Sequence, residues 1–330
     1  MAPSHHCLPR RHLLTATVLS LVLPTARAAN VYPAKPVRLM VPFAAAGPTD
    51  VMGRITSQIL AEATKQATVV ENRPGAGGNL GTDAIAKAAP DGYTLGLSAI
   101  SSLAIAPSLY PRLPYDVARD LTPITLVGIA KGAIVAHPSA PFSDLKGLVA
   151  YARANPGKLN YASSGIGTSN HLAGEYFASL AGIDLQHVPY KGTANAAQDL
   201  LSGTVLLSFE SSLLTAAPNV ESGKLKAIAI TSATRSALLP NVPTVAEQGY
   251  PGFDVPTWFG LVSPAGLPKE VVGLVHRIVA NGLKAPTVRE RFAKIGAEPV
   301  GDTPNEFTRY IREETIRWGR LIKERGIKAE

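Results

Sequence analysis

The stretch Val41-Pro42-Phe43-Ala44-Ala45-Ala46-Gly47-Pro48-Thr49-Asp50 closes an apolar run, Val37-Arg38-Leu39-Met40, and opens a segment in which Val51, Ile55 and Ile59 recur every four residues. The run reads as a strand and the four-residue spacing as one face of a helix. A small-residue loop between them aims the unpaired N–H groups of a helix start at its occupant, beside about half a positive charge from the helix dipole. An anion suits such a place. The plainer alternative is that Thr49 or Asp50 caps a helix in an ordinary βα connection.

Outward from this loop, the first third alternates strand and helix. Residues 37–42 form a strand and 51–64 a helix. Residues 68–71 form a strand, then Asn72-Arg73-Pro74-Gly75-Ala76-Gly77-Gly78-Asn79 leads to a helix over 80–88 and a strand over 93–98. A βαβαβ order predicts a mostly parallel sheet with helices on its faces, and open α/β sheets bind ligands beyond the carboxyl ends of their strands. The middle third repeats the rhythm, with strands at 133–136, 159–163, 185–188, 205–209 and 225–230. In the last third, prolines punctuate residues 239–269. Thr303-Pro304-Asn305-Glu306 then reads as a capping box, before an apolar stripe of Phe307, Tyr310, Ile311, Trp318, Leu321 and Ile322. A long amphipathic last helix docks on a domain already built, so the final third is expected to pack back on the first. The chain then crosses between two α/β lobes near 126–131 and 228–232. The expected division is a targeting signal over 1–28, one lobe from 29–128 with 232–330, and a second from 129–231, hinged as a clamshell with a ligand cleft between them.

Composition narrows the function. The chain has 330 residues, 46% hydrophobic and 17% charged. Arg10-Arg11, an apolar core over 13–23 and Ala26-Arg27-Ala28 read as an export signal, either general secretory or twin-arginine. Its removal takes away Cys7, the one cysteine, so the remaining chain has no thiol chemistry. It leaves 29 basic against 24 acidic residues, +5. Lysines and arginines interleaved with glutamates near the end read as a solvated face, not a nucleic-acid array. The expected location is the periplasm.

Enzyme signatures miss. In Gly75-Ala76-Gly77-Gly78-Asn79-Leu80-Gly81 a leucine stands where a dinucleotide fingerprint needs glycine, and the loop follows the second strand. Neither Ser163 nor Ser164 lies in a nucleophile elbow. His137, His171, His187 and His276 show no helical metal-ligand spacing. No catalytic residue, metal or cofactor is expected. His171 is kept as a candidate because it opens a helix beside a glycine loop. Binding features are denser: residues 44–50, 75–79, 98–102, 164–170 and 190–193 are small or hydroxyl-rich, and each ends a strand. Two opposed helix starts among them would grip the two ends of a small diacid, each by about 1 kcal/mol.

Motifs spread along the chain are similar to those of the exported solute receptors of tripartite tricarboxylate transporters, the Bug family. They are Tyr32-Pro33-Ala34-Lys35-Pro36-Val37-Arg38, the opening loop, Glu71-Asn72-Arg73-Pro74-Gly75-Ala76-Gly77-Gly78 and Pro90-Asp91-Gly92-Tyr93-Thr94-Leu95. Further on come Tyr161-Ala162-Ser163-Ser164-Gly165, His171-Leu172-Ala173-Gly174-Glu175, Val188-Pro189-Tyr190-Lys191-Gly192, and Pro240-Asn241-Val242-Pro243-Thr244-Val245-Ala246-Glu247 with Trp258. The resemblance implies a two-lobed periplasmic-binding fold of the second type, no catalysis, and a small carboxylate cargo: a di- or tricarboxylate, an acidic or amidated amino acid, or an aromatic acid. It implies delivery to membrane permease subunits by a monomer. It places Phe43, Ala44, Ala46, Gly47, Thr49 and Asp50, with Gly78 and Ser98, at one end of the ligand. Ser164, Gly165, Thr168 and His171 with Tyr190, Lys191 and Gly192 meet the other end, and Trp258 flanks the cleft. Two departures bear on selectivity. Ala46 stands where the family has glycine, and Glu210 ends a strand that should face the cleft. There Glu210 would repel a carboxylate and welcome an ammonium or amide; the alternative is a Glu210 in solvent or paired with a lysine. Two competing functions are a small lyase or hydrolase on the same fold and a ligand sensor for a membrane signalling partner.

Overall fold

The computed structural model of the protein describes residues 1–3 and 32–329, so the export signal read over 1–28 lies almost wholly outside the described residues. Elements run in the order β1 (Val37–Val41), α1 (Pro48–Thr64), β2 (Thr68–Asn72), α2 (Asn79–Ala86), β3 (Thr94–Ala99), α3 (Ala106–Leu109), α4 (Val117–Asp120) and β4 (Leu121–Ala130). There follow β5 (Ala133–Ala136), α5 (Leu145–Ala154), β6 (Asn160–Ser163), α6 (Ser169–Ala181), β7 (Gln186–Pro189), α7 (Thr193–Leu201), β8 (Leu207–Glu210), α8 (Leu213–Glu221) and β9 (Lys226–Ile230). The chain ends with β10 (Thr257–Pro264), α9 (Lys269–Gly282), α10 (Pro286–Ala293), β11 (Ala297–Pro299) and α11 (Pro304–Arg325).

Two sheets result, ordered β11-β4-β10-β3-β1-β2 and β7-β6-β8-β5-β9. In the first, β1 pairs in parallel with β2 and β3, while β10 runs antiparallel between β3 and β4. In the second, β6 is parallel to β7 and β8, and β5 is antiparallel to β8 and β9. The antiparallel members are the strands that carry the chain between sheets, and a chain that leaves one lobe and returns enters it in the opposite sense. β4 continues to Ala130 before crossing through Lys131 and Gly132. After β9 the chain stays beside the second sheet: Val245 N–H donates to the Ile230 carbonyl, and Leu239 packs with Ala133, Val135 and Leu213. It rejoins the first sheet only at Thr257.

Each sheet is covered on both faces. One face of the first buries Leu39, Val41, Met52, Ile55, Leu97, Phe259 and Phe292 beneath α1, α9 and α10. The other carries Met40, Ile85, Val262, Phe307 and Trp318, in a cluster that continues into the second lobe through Ile134, Tyr161, Phe177 and Phe209. The capping box forms: the Thr303 side chain accepts from the Glu306 N–H, and the Glu306 carboxylate accepts from the Thr303 N–H. α11 then buries Phe307, Ile311, Trp318, Leu321 and Ile322 as its spacing predicts, and Glu314 with them. Among the described residues, no helix is long and apolar enough to cross a membrane.

Candidate functional site

The loop between β1 and α1 is tied down from behind by one carboxylate. Gly47 is the N-cap and Pro48 follows it, so neither Thr49 nor Asp50 caps the helix. Asp50 instead accepts from the Ala46 N–H at 2.9 Å, from Arg54 Nε at 2.9 Å and from Asn72 Nδ2 at 2.9 Å; the same Asn72 nitrogen donates to the Phe43 carbonyl at 3.0 Å. Burial alone would raise the Asp50 carboxyl. Hydrogen bonds from Arg54, Asn72 and Ala46 outweigh that and hold it below its ordinary value. Asp50 is buried and its oxygens are taken, so it shapes the loop from behind. Arg54 offsets its charge, so the Asp50 carboxylate does not by itself cancel the positive end of the helix dipole. Ala44 and Ala46 are exposed at the loop tip and Thr49 is buried. Ala46 sits at φ +63°, where an L-residue with a Cβ carries about 1 kcal/mol of strain.

Gly75–Gly78 forms the next wall. Gly78 has φ +96°, and a Cβ there would lie 2.8 Å from the Phe43 ring, so only glycine lets the ring close on this turn. Gly77 accepts from Ser101 Oγ at 2.8 Å through its carbonyl. A Cβ on Gly77 would stand 3.6 Å from the Ile166 carbonyl in the second lobe. The second lobe's loop is held as firmly. The Thr168 hydroxyl donates to the Gly165 carbonyl, Ser164 Oγ donates to Asn170 Oδ1 at 3.0 Å, and Gly167 N–H donates to His171 Nδ1 at 3.1 Å. Tyr190 N–H donates to the Ser163 carbonyl, its hydroxyl donates to Asp199 at 2.7 Å, Lys191 is exposed, and Gly192 caps α7. At the base, Ser169 Oγ and Thr257 Oγ1 share a hydrogen bond of 2.8 Å between the lobes.

The structure therefore brings Phe43 and Gly78 together, gathers Ser164, Gly165 and Thr168 in one loop with His171 behind it on α6, and sets the two groups across the Gly77–Ile166 approach. Two expected residues fall elsewhere. Trp258 does not flank the cleft: it is fully buried in β10, its Nε1 donates to Glu314 Oε2 at 3.1 Å, and its ring meets Phe307 edge-on at 5.9 Å. A central strand of a six-stranded sheet has both faces covered, which leaves no route to solvent. Ser98 is likewise buried inside the first lobe, its hydroxyl 3.2 Å from that of Thr82. Glu210 is 6% exposed at the end of β8, with its Oε1 accepting from Ser208 Oγ at 2.7 Å. It is neither in solvent nor paired with a lysine, and burial pushes its carboxyl above the ordinary value despite the Ser208 bond. Sequence reasoning missed Asn72, Ser101 and His187. The first two stood in loops already singled out, but nothing in the spacing distinguishes an amide or hydroxyl that holds a loop from one on its surface.

With that geometry in view, residues 52–327 match the profile described as the tripartite tricarboxylate transporter family receptor. Protein BugT of Bordetella pertussis is 40% identical over 301 residues, covering 91% of this chain and 92% of that protein. The solved structure of the periplasmic binding protein BugD is similar at 37% identity with a TM-score of 0.83, covering 91% of this chain and 100% of that one. R. palustris Rpa4515 with adipate is similar at 34% identity with a TM-score of 0.86, covering 90% and 99%.

Proposed function

Because the chain belongs to the receptor family of the tripartite tricarboxylate transporters, we propose that this solute-binding receptor captures a small carboxylate between its lobes outside the cytoplasm and passes it, as a monomer, to membrane permease subunits. The observation that carries this reading is the convergence of three small-residue loops. Phe43 of the β1–α1 loop lies against Gly78, and the neighbouring Gly77 faces the Ile166 carbonyl of the loop before α6. Both α1 and α6 start at these loops, and a helix start offers N–H donors that suit a carboxylate. A relative of the same fold holds adipate, a dicarboxylate. Candidate contacts are Phe43, Ala44, Ala46, Gly47 and Gly78 on one side and Ser164, Gly165, Thr168, Tyr190 and Gly192 on the other. Mass spectrometry of the solute released from protein purified without additions should find a small carboxylate. Chemical turnover of that solute by the protein would instead make it an enzyme.

Glu210 sets the finer selectivity. A buried carboxyl with a raised pKa opposes folding in its ionised form, by an amount that grows as pH rises above the ordinary value of 4.5. An ammonium group on the guest would relieve that charge. Glu210→Gln keeps an acceptor for Ser208 and removes the charge. The variant should melt at a higher temperature at pH 7 without ligand, and should bind L-aspartate at least about tenfold, or 1.4 kcal/mol, more weakly relative to L-malate. An unchanged aspartate-to-malate ratio by calorimetry would remove Glu210 from the site.

A further inference from the structure

Behind the second lobe's loop lies a pair of stacked imidazoles. The His171 and His187 rings are 3.9 Å apart and 18° from parallel, and the His187 ring also stacks on Tyr161 at 5.0 Å. His171 is on α6 and His187 on β7; the parallel register of β6 and β7 sets His187 beside Tyr161, under the helix. Each ring holds one end of the ligand loop. Gly167 N–H donates to His171 Nδ1 at 3.1 Å, so that nitrogen carries no proton. Ser163 Oγ lies 2.6 Å from His187 Nε2 and accepts from the Gly165 N–H at 3.1 Å.

We propose that His171 and His187 are positioning residues for cargo binding: the neutral, stacked pair holds the Gly165–Thr168 loop in shape, and that hold loosens as the surroundings become acidic. The proposal rests on reading this loop as a cargo contact. A proton on His171 Nδ1 would set two N–H donors against each other, at the first turn of a helix whose dipole already disfavours a cation. Protonation of His187 is milder by itself, since Ser163 can turn its hydroxyl toward the Gly165 carbonyl, 3.2 Å away. Protonating both stacks two cations.

The charged and titratable groups facing the pair give no relief. Tyr161 on β6 donates its hydroxyl to Glu175 Oε1 at 2.9 Å and to the His171 carbonyl at 3.1 Å. Glu175 on α6 lies 3.6 Å from Arg325 of α11, so its charge is answered there. Burial, and for His171 also its neighbour, holds the two rings neutral, with values pushed down to about 3 for His171 and about 4 for His187. A group whose value is depressed in the closed loop and returns to 6.5 in the open one favours the closed form fully above pH 6.5 and loses that preference below it. From pH 7.5 to pH 5 the open population therefore rises about 30-fold for His171 alone.

Amide hydrogen exchange followed by NMR on the full chain, with no cargo added, tests this. The Gly167 amide should lose protection by at least about 30-fold between pH 7.5 and 5, the part due to His171 alone. The Ala46 amide, held by an ionised Asp50, should stay level. His171→Asn places an amide oxygen where Nδ1 stood and cannot titrate, so its Gly167 protection should fall far less steeply with pH, the remaining slope coming from His187. A flat wild-type profile at Gly167, an equal loss at Ala46, or an unchanged slope in His171→Asn would each overturn the proposal. If that variant does not fold, the wild-type comparison of Gly167 with Ala46 decides. None of these readouts involves cargo, so failure to find a bound carboxylate would strike the receptor reading while the pH-dependent hold of the two rings on the loop is judged separately by the exchange data.

Discussion

Gly132→Val is expected to lower unfolding stability by about 3 kcal/mol or more, close to the upper end for overpacking a tight site. Gly132 is the last residue of the first crossover. Its carbonyl accepts from Thr231 N–H, which ties the crossover to the segment leaving β9, and Ala133 next to it pairs with both Glu210 and Ile230. A Cβ at this position would run into the Glu210 carbonyl oxygen and stand 2.7 Å from Thr231 Oγ1. Backbone on one side and a buried threonine on the other leave nothing flexible to yield, and the branched side chain of valine enlarges the conflict. Urea unfolding monitored by far-UV circular dichroism would measure the loss. A change under about 1 kcal/mol would mean that Gly132 and the segment leaving β9 can move apart without harm.

Asp50→Ala should weaken binding of the released solute by about 100-fold while leaving the fold intact. The substitution removes the acceptor of three donors, one of them the Ala46 N–H at the loop tip. Hydrogen bonds to a charged group contribute about 1.5–3 kcal/mol each, and a loss of about 2.7 kcal/mol corresponds to that change in affinity. The Asp50 carboxyl is held below its ordinary value of 3.8, so its contribution is complete above that pH and disappears only as the pH falls below it. Binding through the first lobe should therefore be level from pH 5 to 8. Calorimetry at pH 7 on wild type and variant provides the check; affinities within threefold would mean that Asn72 holds the loop by itself.

Much of the first third was legible because its signals agreed. The spacing of Val51, Ile55 and Ile59 and the small-residue loop before them predicted the βα unit that places the first loop, and α1 starts three residues earlier because Pro48 fits the first helical turn. The capping box at Thr303 was equally plain. β4 and β10 were hidden for a physical reason. Neither has an exposed residue, so neither shows the alternation of a half-exposed strand, and Pro123 lies within one while prolines border the other. With β10 unread, Trp258 looked like a residue of a surface crossover.

The histidine pair was illegible for a different reason. His171 and His187 belong to separate elements, and only the register of β6 on β7 and the seat of α6 above them bring the rings together. The surroundings of Glu210 depend in the same way on the close approach of β5 to β8. The spacing of the histidines carried no information about which polar side chain supports a loop from behind.

The position of β10 between β3 and β4 also governs the order in which the molecule can assemble. Every strand of the second sheet lies within one uninterrupted stretch, β5 to β9, so that sheet can complete itself as soon as this stretch is available. The first sheet cannot. Until residues 257–264 arrive, β3 and β4 each lack the neighbour between them, and two rows of backbone donors and acceptors stand open in the middle of the sheet. Long-range pairing of this kind is slow to form. The half of the molecule that carries the Asp50 loop is thus the last to mature, and a chain cut short before Thr257 would present two sticky edges to its neighbours.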